Sequence, residues 1–313
     1  MTETTVDLSL PPAQRWRLTP GQREQARELL ALYQADLGLT PDLAAQLAAA
    51  ARPLIPAEQW AEMEALAAQC EVPLTGVATA NLYYDALKFV IGCTAFAVDT
   101  PAGPLHARNL DWWTENDMLA RYTLVTRFTG GPAGDFITAG WPGLVGAFSG
   151  VAPGRFAVTL NAVLSLEPMR PAIPVVFLLR HTLEHARDFA HALRLLSETP
   201  VPSDSLLLLT GTRRGEMAVI ERTPTRHATR HPQLGALCVT NDYHLIDANT
   251  GLANSELQAT SCGRYDRIQT LVERAAPENA EECFAYLNDP AVRMGITVQQ
   301  MVFSAATGLV QVR

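Results

Sequence analysis

The sequence predicts an α+β protein, a four-layer αββα sandwich in which two antiparallel sheets lie between helices, with a helical N-terminal segment. Residues 1 to about 91 show the apolar spacing of helices, whereas short strand-like runs dominate from Cys93 onward. A pair of predicted helices then separates two groups of strands. This order differs from the regular alternation of strand and helix in parallel α/β folds and favours two sheets covered by helices.

The individual elements are predicted from apolar periodicity and from prolines at first turns. In the N-terminal segment, helices are predicted at 22–37, 41–51, 56–69 and 76–90. Strands follow at 93–99, 104–111, 121–129, 135–149 and 155–163, and then helices at 174–186 and 188–198. Strands at 205–212, 216–222 and 236–241, helices at 263–274 and 278–287, and strands at 298–304 and 308–313 complete the chain.

The composition is that of a globular protein and restricts the partners that it can bind. Of the 313 residues, 48% are hydrophobic and 18% are charged, and this length suits one large domain or two small ones. The formal net charge is −8, and the arginines are scattered along the chain. Nucleic acid is therefore not expected as a partner, because a phosphate-binding surface needs clustered positive charge.

Two features predict a cytoplasmic protein without an integral membrane segment. The stretch from Met1 to Leu8 lacks the basic and apolar regions of a signal peptide, and no apolar run reaches the length of a membrane span. The cysteines are odd in number and form no CxxC pair, as expected of free thiols in a reducing compartment. They are Cys70, Cys93, Cys238, Cys262 and Cys283.

The most informative segment begins at Cys93. Pairing the two strands that flank a turn at 100–103 places Ala95 opposite Arg108 and Cys93 opposite Leu110. Directly opposed residues share a face, so the thiol and the guanidinium are predicted side by side. A fixed positive charge beside the sulfur would favour thiolate over thiol.

The same pairing places Asp111 opposite Gly92, at the end of the strand and beside the peptide bond that precedes Cys93. From spacing alone, an ordinary hairpin with a half-buried cysteine remains the alternative, since most cysteines pack as small hydrophobic residues.

Three other patterns are not expected to carry chemistry. His181, Glu184 and His185 match an H-x-x-E-H motif, but the sequence marks out no third metal ligand. Gly143, Gly146 and Gly150 lack the Gly-Lys-Ser/Thr of a phosphate loop, and no G-x-S-x-G motif is present. No metal and no cofactor are therefore expected.

The order of several further motifs resembles the cysteine N-terminal nucleophile (Ntn) hydrolases, which include acid ceramidase, N-acylethanolamine acid amidase and acyl-CoA:penicillin acyltransferase. The resemblance covers most of residues 20–313. The stretches that carry it are Cys93 with Arg108, Asn109 and Asp111, then Gly140 to Gly146, Pro153 to Asn161, Pro174 to Ala186, Ala236 to Asn241 and Ser261 to Arg267.

This resemblance implies the Ntn-hydrolase fold and a chain that cleaves itself between Gly92 and Cys93. Residues 1–92 would then be a helical propeptide or small subunit, and residues 93–313 the catalytic subunit with Cys93 at its N-terminus. The two fragments would remain associated.

The resemblance also implies roles for the site residues. Cys93 would attack an amide carbonyl to give a thioester, and its freed α-amino group would act as general base. Arg108 would keep the sulfur anionic, Asp111 would hold the amine, and Asn241 would donate to the oxyanion. The remaining candidates are Asn161 and Arg264 as supporting catalytic residues, and Trp112, Trp113 and Trp141 as the binding site for an acyl chain.

Each of these residues could instead have a purely structural role. Each asparagine could cap a strand end, Arg264 could be solvated together with Arg267, and the tryptophans could belong to the core. A papain-like protease is disfavoured because Cys93 begins a strand rather than a helix.

The expected substrate is a small or lipid-like N-acyl amide. An acyltransferase uses the same catalytic residues and differs only in its acceptor, so the sequence leaves both reactions open. A catalytically silent scaffold is a weaker alternative, suggested by Ala162, where related sequences often carry glutamate.

Overall fold

The computed structural model describes residues 1–87, 91–112, 117–247 and 256–313, and it confirms the predicted α+β class with two sheets and flanking helices. The strands are β1 (Thr2–Asp7), β2 (Ile91–Thr100), β3 (Gly103–Trp112), β4 (Leu124–Thr129), β5 (Phe136–Gly140), β6 (Ser149–Ala152), β7 (Phe156–Asn161), β8 (Ser205–Thr210), β9 (Met217–Arg222), β10 (His227–Arg230), β11 (Ala236–Val239), β12 (Thr297–Ser304) and β13 (Leu309–Val312). The helices are α1 (Pro12–Arg15), α2 (Pro20–Leu37), α3 (Pro41–Ala51), α4 (Ala57–Cys70), α5 (Leu74–Asn81), α6 (Tyr83–Leu87), α7 (Met118–Arg121), α8 (Val175–His185), α9 (Phe189–Glu198), α10 (Glu256–Arg274) and α11 (Ala280–Leu287).

The strands form one sheet in the order β1-β4-β5-β6-β7-β8-β9-β10 and a second in the order β11-β2-β3-β12-β13. Helices α8 and α9 cover the larger sheet, and α10 and α11 cover the smaller one. Side chains alternate between the two faces of β2 as the period of two requires. Ala95 and Ala97 pack against the larger sheet, whereas Phe96 and Val98 pack against α10 and α11.

The N-terminal segment departs from the prediction in one respect. Thr2–Asp7 forms a strand where only helices were expected, and this strand pairs in parallel with β4, so the larger sheet is not purely antiparallel. The β-branched residues of this stretch suit a pleated strand, and β4 supplies backbone partners that the local sequence does not reveal.

Smaller differences concern boundaries. The strand predicted at 121–129 begins at Leu124, after α7. The run predicted at 135–149 is strand only in β5 and at Ser149, the first residue of β6, since residues 141–148 form turns and loop. The short strand β10 was not predicted. It lies at the edge of the larger sheet, where β9 is its one partner among the described strands, so little apolar periodicity marks it.

A buried ion cluster joins the N-terminal helices to α8. The Glu62 carboxylate lies 3.0 Å from Arg15 Nη1 and 3.1 Å from Arg180 Nη2, and it accepts a 2.7 Å hydrogen bond from Trp16 Nε1. Removing one partner of such a buried pair leaves an uncompensated charge, which is strongly destabilising. The segment before Cys93 is thus firmly attached to the segment after it.

Candidate active site

The β2–β3 hairpin has the predicted register. Ala95 lies opposite Arg108, Cys93 opposite Leu110 and Gly92 opposite Asp111. The turn that sets this register is closed by Thr100, whose Oγ1 donates a 2.7 Å hydrogen bond to the Gly103 carbonyl. Gly103 has φ +108°, a conformation that side-chain-bearing residues rarely adopt.

The sulfur of Cys93 lies beside a buried guanidinium. Arg108 Nη2 is 3.1 Å from Cys93 Sγ, and both residues are fully buried. The guanidinium also donates to the Leu160 carbonyl, to Ser149 Oγ and, over 3.1 Å, to the Phe148 carbonyl. These acceptors come from the larger sheet and its adjoining loop. They hold a positive charge against the sulfur in one orientation.

The backbone of Cys93 is bound by two residues from the other end of the chain. Its N–H donates to Asn241 Oδ1 over 3.2 Å, and its carbonyl accepts a 2.6 Å hydrogen bond from Arg264 Nη1. Arg264 Nη2 also donates to Asn241 Oδ1, and Asn241 Nδ2 donates to the Ala162 carbonyl. Burial lowers the pKa of Arg264 from its ordinary value.

The two arginines of the α10 motif therefore differ. Arg264 is buried at the site, so the alternative of a solvated side chain is wrong for this residue. Arg267, three positions later, is largely exposed and pairs with Asp289.

Asp111 is fully buried on the face of β3 that points towards α10 and away from the sulfur. Thr297 Oγ1 donates a 2.5 Å hydrogen bond to Asp111 Oδ1, and the other oxygen, Oδ2, has no partner among the described residues. Burial raises the pKa of the Asp111 carboxyl, against the opposing effects of the Thr297 hydrogen bond and of the Arg264, Arg108 and Arg293 charges. Thr297 thus holds the carboxyl of the residue that pairs with Gly92, which precedes Cys93 in the chain.

Thr297 was missed by sequence reasoning. The pairing of β12 with β3 shifts between Thr297 and Gln299, and this irregularity accompanies the hydroxyl's position at Asp111. A threonine at the start of a predicted strand carries no local signal of this contact.

Asn161 lies on the same face of β7 as Thr159, two residues before it. Its Nδ2 donates to the carbonyls of Val239 (3.3 Å) and Thr240 (3.0 Å), at the end of β11. Its Oδ1 is buried and has no partner among the described residues. Strand-end capping therefore accounts for the amide nitrogen but leaves the oxygen unexplained.

The described tryptophan candidates meet in an aromatic cluster on the sulfur side of the hairpin. Trp112 and Trp141 have ring centroids 5.6 Å apart, and Tyr33, Tyr83 and Phe148 pack against Trp112. A cavity of only about 10 Å³ remains among them, which is room for about one water molecule. Trp113 lies outside the described residues.

His106, which was not singled out from the sequence, is buried between the sheets. Its ring nitrogens lie 2.8 Å from Thr159 Oγ1 and 3.2 Å from Thr210 Oγ1. Burial, with a smaller effect of Arg108, lowers the pKa of His106 to about 3, so the ring is neutral. Its described partners are the two hydroxyls rather than the sulfur.

The H-x-x-E-H motif lies on α8, with the rings of His181 and His185 stacked 4.1 Å apart. Glu184 is turned inward and pairs with Arg180. In the described ranges, no group of three His, Cys, Asp or Glu side chains is placed to bind a metal ion. Nor does any helix there have the length and apolar character needed to cross a membrane.

The chain was compared with known families and structures. The model of a family described as acyl-coenzyme A:6-aminopenicillanic acid acyl-transferase matches residues 98–298, which is more than half of the chain. Acid ceramidase of Balaenoptera acutorostrata scammoni is 26% identical over 249 residues, covering 70% of this chain and 62% of that protein. The chain thus spans about three fifths of the length of this relative.

Two further similarities extend the comparison. The N-acylethanolamine-hydrolyzing acid amidase of Caenorhabditis elegans is 23% identical over 283 residues, covering 78% of this chain and 73% of that protein. A solved structure described as a Caenorhabditis elegans N-acylethanolamine-hydrolyzing acid amidase ortholog covers 68% of this chain and 93% of its own, with a TM-score of 0.56 and 21% identity. This structural match confirms the fold predicted from the sequence.

Proposed function

Because the chain belongs to the family described as acyl-coenzyme A:6-aminopenicillanic acid acyl-transferase, we propose that it is a self-cleaving cysteine amidohydrolase. It would cut its own chain between Gly92 and Cys93 and then hydrolyse the C–N bond of a small or lipid-like N-acyl amide. The observation that carries the proposal is the buried pair of Cys93 Sγ and Arg108 Nη2, 3.1 Å apart. A thiolate is the reactive form of cysteine, and a fixed cation favours it.

In the proposed self-cleavage, Cys93 Sγ attacks the carbonyl carbon of Gly92 and forms a thioester. The Gly92–Cys93 C–N bond breaks, and the proton lost by the thiol is balanced by one gained at the nitrogen, which becomes an α-amino group. Water then hydrolyses the thioester, which leaves a carboxylate on Gly92 and restores the thiol. In this proposal Asp111, which is paired opposite Gly92, directs its carboxyl towards the departing nitrogen of Cys93.

In the proposed turnover, the new amino group serves as general base, since an α-amino group ordinarily has a pKa of about 7.7–8.0 and titrates near neutral pH. This amino group takes the thiol proton as the sulfur attacks the amide carbonyl of the substrate, and returns it to the nitrogen of the departing amine as the C–N bond breaks. Water then hydrolyses the thioester and restores the thiol. Asn241 Nδ2 carries two hydrogens, of which one is donated to the Ala162 carbonyl. We assign the other to the oxyanion of the tetrahedral intermediate.

The relatives support an amide substrate, since one is named as a ceramidase and another as an N-acylethanolamine-hydrolyzing amidase. The aromatic cluster around Trp112 would accommodate the acyl tail. A cavity of about 10 Å³ cannot hold such a tail, so Tyr33 or Tyr83 would have to move after cleavage. Both tyrosines belong to the N-terminal fragment, which the Glu62 cluster would keep attached.

Acyl transfer is the second candidate, because the matching family is described as an acyl-transferase. The chemistry up to the thioester is the same, and only the acceptor differs. Adding an amine acceptor during turnover would separate the two reactions. An N-acyl product formed in preference to the free acid would identify a transferase.

Intact-mass measurement is the primary test of the proposed function. The purified wild type should consist of two co-eluting fragments, the larger beginning at Cys93, and should hydrolyse members of an N-acyl amide panel. Cys93→Ala should stay at full mass and lose turnover by at least about 10³-fold, as expected when a nucleophile is removed. Cys283→Ala, at another buried cysteine, is the matched control and should be cleaved normally. An active wild type that remains at full mass would refute self-cleavage.

A further inference from the structure

Asn161 presents a buried hydrogen-bond acceptor that the described structure does not use. The orientation of its amide is determined by its neighbours, because the carbonyls of Val239 and Thr240 can only accept. The NH₂ group must therefore point towards them, and Oδ1 points elsewhere. A buried acceptor without a donor is costly, so a native structure that keeps one has a reason for it.

Asn161 directly follows the residue whose carbonyl lies near the nucleophile. The preceding residue, Leu160, has its carbonyl oxygen 3.8 Å from Cys93 Sγ, and Arg108 binds both groups. Asn161 shares its strand face with Thr159, which contacts His106 between the two sheets. Asn161 Oδ1 is thus on the side of the hairpin that carries the sulfur.

Nearby backbone and guanidinium donors serve a different oxygen. The Cys93 N–H and Arg264 Nη2 both donate to Asn241 Oδ1. If the Cys93 nitrogen keeps its hydrogen bond to Asn241 Oδ1 after cleavage, it does not donate to Asn161 Oδ1. A hydrogen-bond donor on the substrate would then give Asn161 Oδ1 the partner that it lacks among the described residues.

We infer that Asn161 Oδ1 accepts the N–H of the scissile amide, and that the site therefore selects secondary amides over esters of the same shape. This inference rests on the proposed amidohydrolase function. In a trans amide the C=O and the N–H point in opposite directions, so the substrate needs a donor for its oxygen and a separate acceptor for its nitrogen. Asn241 Nδ2 and Asn161 Oδ1, held at the ends of β11 and β7, supply these two groups. A site built to bind an N–H discriminates strongly against an analogue that lacks it.

The test compares an N-acyl amide with the ester that has oxygen in place of the N–H, using enzyme that mass measurement shows to be cleaved. Asn161→Ala should lower kcat/KM for the amide by about 10- to 100-fold and change that for the ester by less than about threefold. Asn161→Asp keeps an acceptor oxygen and loses the bonds to Val239 and Thr240. It should therefore be less stable but retain more of the preference for the amide.

Asn109→Ala is the matched control, because Asn109 is also buried and donates to a main-chain carbonyl, that of Leu287 on the opposite face of the hairpin. Its amide-to-ester ratio should equal that of the wild type. An Asn161→Ala variant in which both substrates decline equally would overturn the inference.

The wild type offers a test that does not depend on the folding of any variant. N-methylation of the substrate removes its donor and should lower kcat/KM at least about tenfold. Equal turnover of the methylated and parent amides would overturn the inference while leaving the amidohydrolase function intact. If cleaved wild type hydrolyses neither amide nor ester, the proposed function itself fails.

Discussion

The two faces of the β2–β3 hairpin carry different parts of the candidate chemistry. On the face towards the larger sheet, Cys93 Sγ lies 3.1 Å from Arg108, whose other described partners are two main-chain carbonyls and the Ser149 hydroxyl. On the face towards α10, Asp111 has one hydroxyl partner, and its other oxygen has none among the described residues; Arg264 binds the Cys93 carbonyl.

The separation matters because a carboxylate beside Arg108 would compete with the sulfur for the guanidinium. Ion pairs between arginine and carboxylate are among the stronger hydrogen-bonded contacts in proteins. Because Asp111 lies on the opposite face, its carboxyl does not compete with the Cys93 sulfur for the guanidinium of Arg108. In the proposed cleavage the carboxyl acts on the departing nitrogen of Cys93 instead. In the proposed mechanism, one face of the sheet therefore stabilises the nucleophile and the other the leaving group, so variants on the two faces should have different effects.

Removal of the guanidinium should have the largest effect. Arg108→Ala is expected to slow both self-cleavage and turnover by about 10²–10³-fold, because the sulfur loses the charge that favours the thiolate. The rate at which iodoacetamide alkylates Cys93 should fall as well.

The matched control for Arg108 is Arg222→Ala. Arg222 is also a buried arginine that donates to main-chain carbonyls, those of Leu196 and Thr199, but it has no described contact with the sulfur. An alkylation rate that is the same in Arg108→Ala and the wild type would show that the guanidinium does not act on the sulfur.

Asp111→Asn should have a smaller and more selective effect, slowing self-cleavage by about 10- to 100-fold as the charge beside the nitrogen is lost. Burial raises the pKa of Asp111 above its ordinary value of 3.8, so the carboxyl becomes protonated at a higher pH than usual. Self-cleavage by the wild type should therefore slow as the pH falls through that range. The asparagine variant should lack this decline. Gel analysis of processing across a pH series measures both effects.

The same pKa shift predicts the opposite sign for stability. A carboxyl whose pKa is raised in the folded state binds its proton more tightly there than in the unfolded chain, so ionisation of Asp111 lowers stability as pH rises through that range. At neutral pH, Asp111→Asn should therefore melt at the same temperature as the wild type or higher. A large loss of stability would mean that the carboxylate is structural.

The smallest effect is expected from Thr297→Val, which removes the hydrogen bond to Asp111 Oδ1 and leaves the shape of the side chain nearly unchanged. That bond opposes the rise in the pKa of Asp111, so its loss should move the acid limb of self-cleavage to higher pH, with a change of only a few-fold at pH 7. Thr297→Ser should restore the wild-type limb. Thr270→Val, on an exposed threonine that bonds only within its own helix, is the control. If the acid limb of self-cleavage in Thr297→Val lies at the same pH as in the wild type, Thr297 does not tune Asp111.

Sequence reasoning by itself determined the hairpin and its two faces. A short turn at 100–103 sets which residues pair, and the period of two along a strand then places Cys93 with Arg108 and turns Asp111 away. These are local consequences of backbone geometry, so they do not depend on the rest of the fold. The division at Gly92–Cys93 and the cytoplasmic location remain predictions.

The family resemblance named Asn241 and Arg264 as candidates, but only the tertiary structure shows how they and Thr297 reach the hairpin. Asn241, Arg264 and Thr297 reach the hairpin from positions 148, 171 and 186 residues away from their partners, and no local pattern encodes such contacts. The packing of α10 and the end of β11 against β2 and β7 determines whether Arg264 is buried. It also determines which atom of Asn161 lacks a described partner. Packing of this kind depends on the whole core at once, whereas strand register depends on a few neighbouring residues.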